Sequence, residues 1–194
     1  NLVGVLLRLN NNGTLPIEQL ISFNNSRAEI TGIGRSFDNL INANGSQFLI
    51  TNVVVNLGSV TTMTHGSVTL SSGGTANLNQ LQNIDSASFY ISGGVTLSLP
   101  SVTSYTHTSN ANSQYRYFRA QGSGSRIEMP NLTSITNGTF YNSNIVAEAL
   151  SGGVINLNAV TEISDPNSGD VRYRAVSITA DGVNSRVELA NLVN

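Results

Sequence analysis

The chain has 194 residues, nine basic against eleven acidic, a net charge of −2 and only 10% charged residues, so it lacks the electrostatic footprint of a nucleic-acid binder. There is no cysteine, which excludes a disulfide scaffold and a thiolate zinc site, and His65 and His107 are too few for a histidine-rich metal centre. Asn, Ser and Thr supply 26, 25 and 17 positions, and every basic residue is arginine, a composition that predicts an all-β chain with a neutral hydrogen-bonding surface.

Asn1 to Leu9 lacks the charged start and long apolar run of a signal peptide, and no stretch reaches the 18 apolar residues of a membrane span. Membrane insertion is therefore not expected. The missing initial methionine suggests a processed product or a piece of a longer chain. Val5 to Leu9, with Leu20 and Phe23, reads as a degenerate coil, so residues 1–27 are expected to form an N-terminal cap. Thr14-Leu15-Pro16 has the chemistry to start a short helix over it.

Residues 28–194 read as repeated coils of the same single domain, cut short at the C-terminus. Their clearest copies are Val55 to Met63, Ala76 to Ile84, Leu97 to Tyr105, Ile127 to Ile135 and Ile155 to Ile163, with a weaker copy from Ala28 and a short one from Val187. The second apolar position runs Ile30, Leu57, Leu78, Leu99, Met129, Leu157, Leu189, at intervals of 27, 21, 21, 30, 28 and 32. Such a period is one turn of a solenoid.

Before each copy lies a small-residue corner: Ser72-Gly73-Gly74, Ser92-Gly93-Gly94, Ser151-Gly152-Gly153, or Ser-Arg at 26–27, 125–126 and 185–186. Before each corner an extended run recurs, as in Phe48 to Thr51, Phe89 to Ile91 and Ile145 to Ala149. The unit is thus strand, corner, strand, turn, anchor, variable loop. The expected fold is an all-β parallel β-helix, a β-solenoid of about seven coils of 21 to 32 residues, right-handed by the default for parallel crossovers. A leucine-rich horseshoe would need a regular connector that these Asn-, Ser- and Thr-rich links do not supply.

The blocks Ser92 to Tyr105, Gly122 to Ile135 and Ser151 to Ile163 resemble the coils of bacterial extracellular β-solenoid proteins, adhesin-like or stalk chains, and share the flavour of receptor L-domain repeats. The resemblance covers about Ala28 to Asn194. It implies a non-catalytic structural or adhesive segment of a larger extracellular or cell-surface protein. The implied partners are neighbouring coils or domains of its parent chain, or other copies associating through open coil ends.

Several outward features follow from the alternation of strand side chains. Arg27/Glu29, Arg126/Glu128 and Arg186/Glu188 are expected to be exposed ion pairs at one coil position. Asn56, Asn77, Ser98, Glu128, Asn156 and Glu188 should fall in one column, its asparagine ladder interrupted at the glutamates. Thr61, Thr62, Thr64 and Thr69 invite an ice-binding reading, which the Gln82-Asn83 and Glu162 equivalents weaken.

Three long loops, Thr106 to Arg116, Thr136 to Asn144 and Ser164 to Arg174, should leave from one edge. They would gather His107, Tyr115, Arg116, Tyr117, Arg119, Tyr141, Asp165, Asp170, Arg172, Tyr173 and Arg174 as a candidate ligand site. Tyrosine faces beside arginine and amide donors suit a glycan. A polysaccharide lyase or hydrolase is the enzymatic alternative, for which only Asp165 and Asp170 lie near each other. No catalytic residue and no cofactor is expected. The Asp165-x-Asn167-x-x-Asp170 spacing offers partial oxygen ligation for calcium. Five N-x-S/T sequons occur, at Asn12, Asn24, Asn44, Asn131 and Asn137.

Overall fold

A computed structural model describes residues 1–193, and every regular element among them is a strand. The chain opens with β1 (Leu2–Val3), β2 (Leu6–Leu9) and β3 (Phe23–Asn24). Three units then carry a strand, a corner and a second strand: β4 (Arg27–Thr31) with β5 (Arg35–Ser36), β6 (Gln47–Thr51) with β7 (Val54–Asn56), and β8 (Ser67–Ser71) with β9 (Thr75–Asn77). Three more add a third strand: β10 (Ser88–Ser92), β11 (Thr96–Ser98) and β12 (Ser104–Thr106); β13 (Tyr115–Gln121), β14 (Arg126–Glu128) and β15 (Ser134–Thr136); β16 (Asn144–Leu150), β17 (Val154–Asn156) and β18 (Glu162–Ser164). The last pair is β19 (Ala175–Asp181) and β20 (Arg186–Glu188).

Each main-sheet strand bonds to its counterpart in the next unit, the second strands do so except between β9 and β11, and all the pairings are parallel. The main sheet has eight strands in the order β19-β16-β13-β10-β8-β6-β4-β2. The second strands form the sheets β5-β7-β9 and β11-β14-β17-β20, and the third strands form β12-β15-β18. The extended runs expected before each corner are the main-sheet strands.

Strand alternation sends one face of the main sheet into the core. Leu7, Ala28, Phe48, Val68, Phe89, Phe118 and Ala147 are successive register partners, all buried. Because aromatic and small residues alternate irregularly along this column, rings from the other sides fill the spaces. Tyr105 lies edge-on to Phe118 at 4.8 Å, and Phe118 stacks on Phe89 at 6.1 Å. The Tyr105 hydroxyl, fully buried, donates to the Ala87 carbonyl at 3.0 Å.

The anchor triplets bury the opposite side, and they start earlier than the sequence pattern suggested. Phe37, Leu40 and Ala43 are fully buried, and the Leu40 amide donates to Phe37 O as Val60 does to Leu57 O. Arg35 pairs with Val55 in the β5–β7 ladder. The true counterpart of Leu57 is therefore Phe37, and Ile30 is a core residue of the main sheet. The alternation of β4 imitated an anchor, while Phe and Ala at the anchor positions hid the real one.

Ile17, Leu20 and Phe23 form a still earlier triplet with the same Leu20-to-Ile17 bond. The segment after Pro16 is thus a turn of this kind, where a helix was expected. Arg27/Glu29 is corrected likewise: it sits on the main sheet, whereas Arg126/Glu128 and Arg186/Glu188 sit on β14 and β20.

Entry into each main strand uses a left-handed residue two positions ahead. Asn25, Gly45, His65 and Ser86 have φ between 48° and 70°. In the longer units Ser113, Asn142 and Tyr173 take that place at 54° to 59°, so the insertions lie just upstream of one fixed corner. Between left-handed residue and strand, Ser26, Ser46 and Ser143 are buried. Ser46 Oγ accepts from the Ser26 amide at 3.0 Å and donates to the Phe23 carbonyl at 2.6 Å, stapling units together.

Candidate functional site

The three inserted loops do stack at one edge. The Ser113 amide donates to Tyr141 O, the Asn142 amide to Arg172 O and the Asp170 amide to Thr139 O, so each loop is held by the next. The residues expected to converge there are nevertheless divided among three environments.

The first is interior. His107 is buried, its Nδ1 donating to Asn137 Oδ1 at 3.4 Å. An amide oxygen only accepts, so the proton is on Nδ1, and the buried Nε2 lone pair has no partner. Burial, and then the Arg116 charge, push its pKa down to about 4. Asn137 Nδ2 donates onward to Ser143 O at 3.0 Å and to Asp165 Oδ1 at 3.3 Å. This sequon asparagine is buried and fully occupied, which removes it as a glycan acceptor.

The Arg174 side chain is also buried, with Nη1 on Gly138 O and Ser168 O, Nη2 on Pro166 O, and Nε 3.5 Å from Asp165. It clamps its own loop. Asp165 thus faces Arg174 and Asn137, and Asp170 is gripped by Arg172 at 2.9 and 2.6 Å, which lowers its pKa to about 2. Both carboxylates face arginine, and no cluster of three His, Cys, Asp or Glu occurs among the described residues.

The second environment is the loop tip. Tyr141 and Tyr173 meet edge-to-face at 5.6 Å, and the Arg172 guanidinium lies 5.2 Å over the Tyr141 ring. Tyr173, Phe140 and Val171 are exposed around them.

The third is the outer face of the main sheet. Tyr90 and Tyr117 lie with ring centroids 5.8 Å apart, and Tyr115 stacks beside Tyr117 at 6.5 Å. Arg119 spans both of the first two rings, at 5.8 and 5.0 Å, while its Nε binds Glu148 at 2.6 Å. Tyr115 is further fixed by its hydroxyl, which donates to Asn142 Oδ1 at 2.9 Å.

Beside this row runs a groove of about 340 Å³, at the low end of ligand-site volumes. Gln47, Leu49, Ser67, Thr69, Ser88 and Tyr90 make its floor and Tyr115 and Arg116 one wall. His65, left-handed at φ 56°, forms another part of the wall. Its Nε2 donates to Thr108 O at 3.1 Å, and Ser86 Oγ bonds Thr108 Oγ1 at 3.0 Å, tying the first inserted loop down across two earlier units. Tyr90 and His65 were not among the expected site residues. A tyrosine at an outward strand position was the available signal for Tyr90.

The outward polar columns behave nearly as expected. Asn77 donates to Asn56, and Asn56 to Ser36, at 3.1 and 3.0 Å. The ladder resumes where Asn156 donates to Glu128 at 2.7 Å, so glutamate accepts within the column there and does not interrupt it. Arg27–Glu29, Arg126–Glu128 and Arg186–Glu188 are all ion pairs at the surface.

No protein-family model, curated protein or solved structure matches the chain.

Proposed function

We propose that the chain is a right-handed parallel β-helix whose eight main-sheet strands make seven complete turns, and that it serves as a rigid, non-catalytic adhesive segment of a larger extracellular or cell-surface protein. The unbroken parallel register from β2 to β19 supports the first part. The likeness of its repeats to extracellular β-solenoid chains supports the second. A surface of neutral amides and hydroxyls, with six of the eleven acidic groups paired to arginine, suits a passive rod better than acid–base chemistry.

The observation that carries the adhesive reading is the row of Tyr90, Tyr117 and Tyr115 with Arg119 laid along the outside of the longest sheet. Such rings, held rigid and half-exposed, stack on the apolar faces of sugars. The ligand surface is therefore this sheet face rather than the loop tips. The outer edge of β19, with Ile178 41% exposed, suits a further repeat or a second copy packing on it.

A glycan array probed with the chain tests the reading. Binding to a defined oligosaccharide, lost in Tyr117→Ala with an unchanged unfolding midpoint, is the expected result. An array blank for the unaltered protein overturns it.

A further inference from the structure

We infer that the groove beside the tyrosine row is built for an acidic saccharide, its anionic group held by Arg116; this rests on the saccharide reading above and adds the charge of the ligand.

Arg116 occupies an inward register. It alternates with the outward Tyr115 and Tyr117 and pairs with the buried Ile145 in the β13–β16 ladder. Ordinarily that position holds a small or apolar side chain. In the preceding unit the equivalent is Ala87, fully buried. A guanidinium therefore stands at the rim of the core, where desolvation makes an unanswered charge costly.

Its charge is indeed unanswered. Among the described residues Arg116 is in no ion pair; its Nη1 donates to the Tyr115 carbonyl at 3.1 Å, and its Nε is buried with no partner. The other charged residue lining the groove, Arg27, is occupied by Glu29 at 2.8 Å and Gln47 at 2.9 Å. No carboxylate lines the groove. The arginine fork matches a carboxylate or sulfate, to which charged hydrogen bonds are roughly twice as strong as neutral ones.

The remaining lining fits the rest of a sugar chain. Ser67, Ser88, Thr69 and Gln47 offer hydroxyl and amide partners, and the rings of Tyr90 and Tyr115 line the same groove. The His65–Thr108 bond keeps the wall closed before any ligand arrives, which limits the ordering cost of binding.

The test is calorimetric titration of the chain with a hyaluronan hexasaccharide, its carboxyl-reduced form, and a heparin hexasaccharide. At least one acidic hexasaccharide is expected to bind ten-fold or more tighter than the reduced form, with affinity falling as salt rises. Which of the two wins separates carboxylate from sulfate. Arg116→Gln should abolish the preference, and Arg116→Lys should retain part of it, with circular dichroism unchanged for at least one variant.

Equal affinity for acidic and reduced forms overturns the inference while leaving the saccharide reading intact. A preference that survives Arg116→Gln overturns the role of Arg116. If no acidic hexasaccharide binds while a neutral oligosaccharide on the array does, the inference fails alone. If nothing on the array binds, the saccharide reading falls with it.

Discussion

The Arg119 guanidinium lies 5.0 Å from the centre of the Tyr117 ring while its Nε holds Glu148 at 2.6 Å. Three adjacent strands are joined by this one side chain, because Tyr90, Arg119 and Glu148 are register neighbours on β10, β13 and β16. It fixes the tyrosine faces outward.

Arg119→Ala should accordingly loosen the row more than it destabilises the fold. A partly exposed ion pair and a cation–π contact are each worth about 0.5 to 1 kcal/mol, so the expected loss is about 1 to 2 kcal/mol in denaturant unfolding. A double-mutant cycle with Glu148→Ala should give a coupling of about 1 kcal/mol or less. A larger coupling would mean the pair behaves as buried.

Phe118 is the central ring of the core, between Phe89 and Tyr105. Phe118→Ala removes it from a fully buried site, and the surrounding strands cannot collapse without breaking register. The expected cost is about 3 to 5 kcal/mol, measured as a shift in urea midpoint at unchanged slope. Phe118→Leu should recover most of that loss.

Stability should fall on acidification because of His107. Its folded pKa of about 4 lies below the ordinary value near 6.5, so folding favours the neutral ring. The unfolded chain takes up the proton first as pH drops through 6.5. Stability is then lost progressively down to about pH 4, by on the order of 3 kcal/mol. His107→Gln should flatten the midpoint between pH 7 and 4.5. An unchanged slope would show that the ring is not buried neutral.

At Gly153 a Cβ would lie 2.1 Å from the Ala120 carbonyl oxygen of the preceding unit, and at Gly93, φ 80°, 2.4 Å from the Ser72 amide nitrogen. Both corners touch backbone, which cannot rotate away. Gly153→Ala and Gly93→Ala should each cost more than 1 kcal/mol. Gly4→Ala, at a similar φ of 68° but in open space, should show strain alone and cost less.

The strands were legible because alternation in Phe48 to Thr51 or Phe89 to Ile91 is a local pattern, set by which face each residue turns to the core. The triplets Leu57-Val60-Met63 and Ile155 to Ile163 were legible for the same reason. Phe37-Leu40-Ala43 was not, since its place in the repeat is defined by pairing with residues 20 positions away, as Arg35 with Val55. The site shows the same division. Tyr117 and Arg119 advertise themselves as outward strand residues. Only the stacking decided that Tyr90 joins them, that His65 reaches Thr108 across 43 residues, that Arg174 and His107 turn inward, and that Arg116 stands without an acidic partner among the described residues. Composition and periodicity determine what each residue prefers to face. Which residues meet depends on the register between units, and the loop insertions change that register's chain separation without leaving a mark in any one repeat.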